Sequence, residues 1–374
     1  MQDIYQKLLR EAEEQDDALG ACRVLLELGH VFAGRNESAG ALGCFQRALA
    51  IAVDLGDPAL EERALEPLGL VLLHLQGVEE AAACFQRLLE IVRAAGDRAK
   101  EARVLGLLGG LDRRRGRMGE AAVRLKRAQD LLREVKDPYA YYAILKIRAD
   151  TVRRRGDVAL AIRLLEEALR MARQAGQDHE VEEISSDLAE LHLECGHDEQ
   201  ARACLEEALH LARDLEDIPV ETIHLLRLSE LDRKAGDTLS ALFRVRTALD
   251  RVSDLTEPDI ACRASVLLGR ILERQGRERA ARAALAEAVQ HARAGGFEAA
   301  EADALLSYAC LLVRARDPEI RDPEVAVTAA ERALDLGTET TPTPWIILSR
   351  AYRLLGDRQR SKEMRERAQL VGKK

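Results

Sequence analysis

Displaced by forty residues, the chain lines up with itself along nearly all of its 374 positions. Small residues form one column, Gly29, Gly69, Gly109, Ala149, Ala189, Ser229, Gly269, Ala309 and Ser349. A second runs Ala41, Ala81, Ala121, Ala161, Ala201, Ala241, Ala281 and Ser361. Large apolar residues fill complementary columns: Leu25, Leu65, Leu105, Leu145, Leu225, Leu305 and Trp345 in one, and Phe45, Phe85, Leu125, Leu165, Leu205, Val245 and Leu285 in another. Within a repeat these columns are separated by steps of three, four and seven, the spacing of an α-helix with one apolar stripe. Each forty-residue unit holds two stripes, so it reads as a pair of helices whose backbones approach through Gly and Ala. A bulkier side chain in that seam would overpack it, at roughly 1–3 kcal/mol.

Turn residues repeat on the same period. Gly116, Gly156, Gly196, Gly236, Gly276 and Gly356, with Asn36 in the same column, fall between the two stripes, and both residue types accept the left-handed backbone that ends a helix. Asp157, Asp237 and Asp357 follow directly as N-caps. Between repeats, Asp57-Pro58, Asp137-Pro138 and Glu257-Pro258 set a capping acid before a proline at the first helical position. Composition agrees: aromatics are 3%, proline numbers nine and charged residues reach 32%, a profile of long helices with too few β-branched and aromatic residues for sheets.

Leu25, Leu28, Gly29, Phe32, Ala41, Phe45 and Ala48 together resemble the tetratricopeptide repeat signature, position by position. The period is 40 rather than the usual 34, similar to the long-repeat branch of Pins/LGN-type polarity adaptors and of the sensor arms of large bacterial regulators. The resemblance implies an all-α, right-handed superhelical solenoid of about nine antiparallel helix hairpins. It would form a single array over 1–374: a half-repeat or cap helix over 1–20, eight hairpins over 21–342, and a last hairpin with a polar C-terminal cap over 343–374. Tyr5, Leu8 and Leu9 stand forty before Phe45, Ala48 and Leu49, so the first helix matches a second helix alone. It is either a cap or the edge of a longer array. ArgAspProGlu occurs at 316–319 and again at 321–324, a five-residue insertion expected to be a slip tolerated in a surface turn.

Charge narrows the function. The net charge of −9 and pI of about 5.6 argue against a general nucleic-acid binder, which needs a basic balance to neutralise phosphates. Scarce aromatics argue against an RNA array that stacks bases. Seven scattered cysteines give no paired spacing, so no disulfide framework is expected and a reducing cytoplasm fits. No apolar run is long enough for a membrane span, and the acidic start does not read as an export signal.

Neither a cofactor motif nor a catalytic constellation stands out, which points to a non-enzymatic protein. His192, Cys195, His197 and Cys204 lie near one another in sequence, but His192 falls in a packed column, so a metal site is not expected. Carboxylate pairs such as Glu166-Glu167 and Glu206-Glu207 read as solvated faces. Residues 103–156 hold fifteen Lys and Arg against six Asp and Glu, a local basic block in an acidic chain. In the tetratricopeptide family the first helix of each pair lines the concave groove. Its open columns here hold Arg103, Arg113 and Arg114, then Lys146, Arg153 and Arg154, then Arg227, Arg233 and Lys234, then Arg270 and Arg274. Leu70, Leu73, Leu107, Ile147 and Leu226 lie between them.

Those residues suit the capture of an acidic protein segment, since the guanidinium fork can hold a carboxylate by two charge-assisted hydrogen bonds. The chain contains one Asn, Asn36, so the Asn ladder with which related grooves grip an extended peptide backbone is missing. A scaffold or adaptor for an acidic, helical or folded partner is therefore the first expectation. The alternative is a regulatory or sensor arm with a peptide or small-molecule effector. Oligomeric state is left open.

Overall fold

A computed structural model describes residues 2–135, 137–252 and 257–372. Among them are nineteen α-helices, one short 3-10 turn and no strand. The chain packs as two compact units, Met1–Glu180 and Val181–Lys374. The first contains α1 (Gln2–Glu14), α2 (Ala18–Gly34), α3 (Ser38–Leu55), α4 (Pro58–His74), α5 (Val78–Ala95), α6 (Arg98–Arg114), α7 (Met118–Val135), α8 (Pro138–Arg154) and α9 (Val158–Gln174). From the second come α10 (Asp178–Glu194, whose first turn belongs to the first unit), α11 (Asp198–Asp214), α12 (Ile218–Ala235), α13 (Thr238–Val252), α14 (Pro258–Arg274) and α15 (Glu278–Gly295). It continues with α16 (Glu298–Arg314), α17 (Pro323–Asp335), α18 (Thr343–Leu354) and α19 (Arg358–Val371). The even-numbered helices are the first, or A, members of nine pairs and the following odd-numbered ones are their B partners.

The forty-residue period proves to be two beats of twenty. From Ala18 to Glu298 a new helix begins every twenty residues. Each described connection in that span turns through one left-handed residue, two positions before the helix start. Asn36 and the predicted glycines occupy six of these thirteen places; Asp16, Gln76 and Glu216, at φ of 56°, 63° and 55°, take others without being glycine. N-caps follow. Asp57, Asp137, Asp157, Asp237 and Asp357 all accept a backbone N–H as the sequence suggests. Glu257 does not: its side chain is one methylene longer, and Asp is the better fit for closing this short ring. Asp17, Asp97 and Asp217, in the same forty-residue column as Asp57 and Asp137, cap their helices as well, and so does Asp322 after the insertion.

Seam geometry accounts for the residue columns. A Cβ added to Gly29 would stand 2.6 Å from the Phe45 ring, one on Gly69 2.5 Å from Phe85, and one on Gly269 2.5 Å from Leu285. Phe45, Phe85 and Leu285 are fully buried. Sixteen residues separate seam from plug in each case: both phenylalanines lie opposite glycine, Leu125 and Leu285 also lie opposite glycine, and Ala149 and Ala189 stand sixteen before Leu165 and Leu205 in the same columns. Where the seam carries serine, its hydroxyl finds a partner: Ser229 donates to the Ala241 carbonyl and Ser349 to that of Ser361, each at 2.8 Å. At the N-terminus, Leu9 is buried but Leu8 is exposed, because α1 has no preceding A helix among the described residues to cover that side.

The inserted segment is anchored. Both carboxylate oxygens of Glu278 accept the backbone N–H of Arg316, at 2.9 and 3.0 Å, and one also takes that of Asp317. Ile320 is buried in the local core. The duplicated segment falls in the turn between α16 and α17, and these bonds hold it there. The insertion delays the start of α17 by five residues but leaves its end on the frame, so α17 has 13 residues where α15 has 18. Thr338–Thr340 then forms a 3-10 turn and α18 starts late, at Thr343. Pro342 fits that delay: the residue before a proline avoids the helical region, and Thr341 is extended, at φ −108° and ψ 146°.

Buried charges also recur. Arg93 pairs with Glu101, Arg213 with Glu221 and Arg293 with Glu301, at 2.8–2.9 Å, each clipping the end of a B helix to the next A helix eight residues on. Glu167 accepts from Tyr141 and Arg133, and Glu207 from Ser185. The second member of each carboxylate pair is thus a hydrogen-bonded, half-buried group rather than a solvated face. Asp112 and Asp232, in a column that also holds Leu72 and Leu272, are both buried; Asp112 meets Arg124 at 2.5 Å and Asp232 meets Arg202 at 2.6 Å.

Burial pushes the Asp112 carboxyl above its ordinary value of 3.8, against the opposing pull of Arg124. A carboxyl whose pKa is higher folded than unfolded favours the folded state when protonated. Its contribution is therefore complete below about 3.8 and is lost as pH rises through the raised folded value. Asp112→Leu combined with Arg124→Met, which replaces the pair rather than breaking it, is expected to be neutral or stabilising by up to roughly 1–4 kcal/mol at neutral pH, with less gain in acid. Urea unfolding across that pH window checks it. A loss above about 2 kcal/mol at neutral pH would make the pair a net stabiliser and contradict this reading.

Candidate functional site

The A helices touch one another directly as well as their own partners: α2 with α4 and α6 with α8 in the first unit, and α12 with α14, α14 with α16 and α16 with α18 in the second. Side chains along these helices tie successive repeats together. Arg103 reaches Glu66 at 2.9 Å, and Arg113 bonds to Asp150. Arg153 and Arg154 flank the same Asp150 at 3.8 and 3.0 Å. In the second unit Arg227 bonds to Ser186 at 2.8 Å and to Glu190. Arg270 takes Asp303 and Ser307, both at 2.8 Å. Arg233 forks onto Glu230 at 2.6 and 2.7 Å, and Arg274 donates to the Arg233 carbonyl at 2.9 Å.

Three of these pairs, 66/103, 113/150 and 190/227, span 37 residues, one repeat less one helical turn. Adjacent A helices run parallel, so a side chain meets its neighbour's previous turn. Most of the arginines expected to meet a partner are therefore already rungs between repeats. Each rung is half exposed and is worth on the order of 0–1 kcal/mol. Lys146 also has a partner. Arg114 and Lys234 are exposed and have no ion pair with another described residue.

The second unit holds a cavity of about 370 Å³ lined by A helices alone. Its apolar wall is Leu193, Leu226, Leu231, Val266 and Leu267. Around it stand Arg227, Lys234, Arg263 and Arg270 against Glu230 and Asp303, an excess of two positive charges. Arg263 has only a 4.0 Å contact with Asp259 on its own helix. A second cavity of about 650 Å³ shares Arg270 and Asp303 and extends under Leu336, Thr338 and Thr343, where the first turn of α18 is unwound. The groove thus joins Arg227, Lys234 and Arg270 from the sequence reading. Arg263, Glu230 and Asp303 were missed, although position 263 lies in the same column as Arg103.

Little here serves covalent chemistry. All seven cysteines are unpaired. Burial pushes the Cys262 thiol up to about 11 and those of Cys22, Cys44 and Cys84 upward as well, which suppresses the thiolate needed for attack. His192 and His197 stand with ring centres 5.7 Å apart. Among the described residues no group of three His, Cys, Asp or Glu side chains could hold a metal ion.

Paired helices stacked in this way, with an apolar, charge-rimmed groove along the A helices of the second unit, are an all-α repeat architecture. Tetratricopeptide repeat descriptions match parts of the chain, one over residues 60–134 and another over 24–59 and 186–219, and these stretches carry tetratricopeptide repeats. No curated protein sequence matches it. Solved structures do. One is a Signal Transduction ATPase with Numerous Domains from Pyrococcus horikoshii that carries a tetratricopeptide repeat sensor, 15% identical with TM-score 0.61, over 88% of this chain and 52% of that one. This chain thus spans about half of that protein. The apo quorum sensor NprR from B. thuringiensis is 12% identical with TM-score 0.56, over 99% and 97% of the two chains. Aspartyl phosphate phosphatase F from Bacillus subtilis is 14% identical with TM-score 0.54, over 93% and 92%. These likenesses show the fold alone. No described helix is long and apolar enough to cross a membrane.

Proposed function

We propose that this chain is a non-catalytic interaction module that seats an acidic, amphipathic protein segment in the groove along α12, α14 and α16. The observation that carries the reading is the pairing of an apolar wall with two cations, Lys234 and Arg263, that are not spent on tight internal ion pairs. An amphipathic helix laid in such a groove would bury its apolar face on Leu226, Leu231 and Leu267 and bring its carboxylates to the rim. Arg227, Arg233, Arg270 and Arg274, and Arg103, Arg113, Arg114, Lys146, Arg153 and Arg154 of the first unit, belong to the proposal as secondary contacts. Apart from Arg114, each would exchange an internal partner for one from the ligand. The unpaired thiols support a reducing, cytoplasmic setting.

Lys234→Glu combined with Arg263→Glu is expected to weaken binding to an array of acidic amphipathic peptides at least about tenfold, with helicity and melting unchanged. Wild-type binding is expected to fall between about 50 and 300 mM salt as surface charges are screened. Unchanged binding by the double variant would count against the groove as the site. A regulatory sensor arm is the second reading, supported by the sensor description of two similar structures. It predicts a thermal shift with a small effector and none with the peptides.

A further inference from the structure

On the opposite side of α16 from the groove, the B helices α15 and α17 leave a cleft of about 460 Å³. Its base is Leu305 and Val289, both under a tenth exposed, and its sides include Tyr308 and Val325. Arg293 and Arg332 stand at its edge. Both direct Nε to the same oxygen of Glu301, at 2.9 and 3.6 Å. Two guanidinium charges thus share one carboxylate, and an uncompensated positive charge remains beside an apolar cleft. No Nη group of either arginine has a partner among the described residues, and both side chains are about half exposed.

We propose that this cleft binds a small anionic amphiphile, with an apolar or aromatic body between α15 and α17 and a carboxylate or sulfonate on the free Nη groups. The volume lies in the range of small-molecule sites. Charge decides the head group: an anion would give the second guanidinium the partner that Glu301 cannot supply, whereas a cation would be repelled. The site is independent of the groove, since none of its lining residues lines the other two cavities.

The test uses 1-anilinonaphthalene-8-sulfonate as probe and N-phenyl-1-naphthylamine, the same body without the sulfonate, as its neutral counterpart. In the whole chain the anionic probe is expected to fluoresce with one saturable site and to bind about tenfold more tightly than the neutral one. Arg332→Gln should erase that preference while leaving neutral-probe binding in place. Ala286→Phe, which fills the cleft from a half-buried position on α15, should abolish binding of both with circular dichroism and melting unchanged. Equal affinity for the two probes, or saturable binding that survives Ala286→Phe, overturns the proposal. Should Arg332→Gln unfold the chain, Arg332→Lys keeps the charge but loses the fork, and undiminished anion preference in it overturns the role of the Nη groups.

Discussion

Phe85→Ala is expected to cost about 3–5 kcal/mol of local stability, among the largest single losses available in the first unit. The ring is fully buried between α4 and α5, and the residue facing it is Gly69, which has no side chain to move into the space. Leu68 and Leu65 on the same A helix are themselves packed, so the cavity would persist. In a repeat array each pair leans only on its neighbours. Amide exchange should therefore accelerate first across α4, α5 and α6, before any change in α14 or α15. A loss of less than about 1 kcal/mol would mean that the plug is not what holds the pair together.

Gly69→Ala is the second large effect, and its sign runs against helix propensity. Alanine is the better helix former by about 1 kcal/mol, yet a Cβ here would sit 2.5 Å from the Phe85 ring. Overpacking is expected to win, for a net loss of about 1–3 kcal/mol. Gly43→Ala, on the exposed side of α3 with nothing within 4 Å of the new methyl, should instead stabilise by about 0.5–1 kcal/mol. Adding Phe85→Leu to Gly69→Ala should recover part of the loss, because Ala149/Leu165 and Ala189/Leu205 are the same pairing in the chain's own repeats. The double-mutant cycle should show favourable coupling above about 0.5 kcal/mol. Additive effects would contradict the seam as the unit of packing.

Much of this architecture is legible in the residues because the local rules agree with one another. The seam columns, the left-handed glycines and the Asp caps each mark the same helix ends, and nine pairs follow. What sequence columns could not give is where a charged side chain goes. Arg103, Arg113 and Arg227 share an exposed stripe on paper, and only the parallel packing of adjacent A helices turns 37 residues into contact with Glu66, Asp150 and Glu190. A search for opposite charges at that separation would have found these rungs. The anchoring of the inserted segment, 316–322, was not legible for another reason: Glu278 lies 38 residues away, and no repeat column contains the loop it holds. Glu61, Glu221 and Glu301 escaped notice because three buried carboxylates in one column look like surface charge until their arginines are placed beside them.

The groove reading meets its most direct test in photo-cross-linking within the cells that make the protein. A benzophenone amino acid would be placed at Lys234 in one experiment and at Phe243, exposed on the B helix α13, in another. Cross-links from position 234 to an acidic, amphipathic segment, with none to that segment from position 243, are the expected result. The same segment attached at 243 and absent at 234 would show that partners meet the B helices and leave the groove empty.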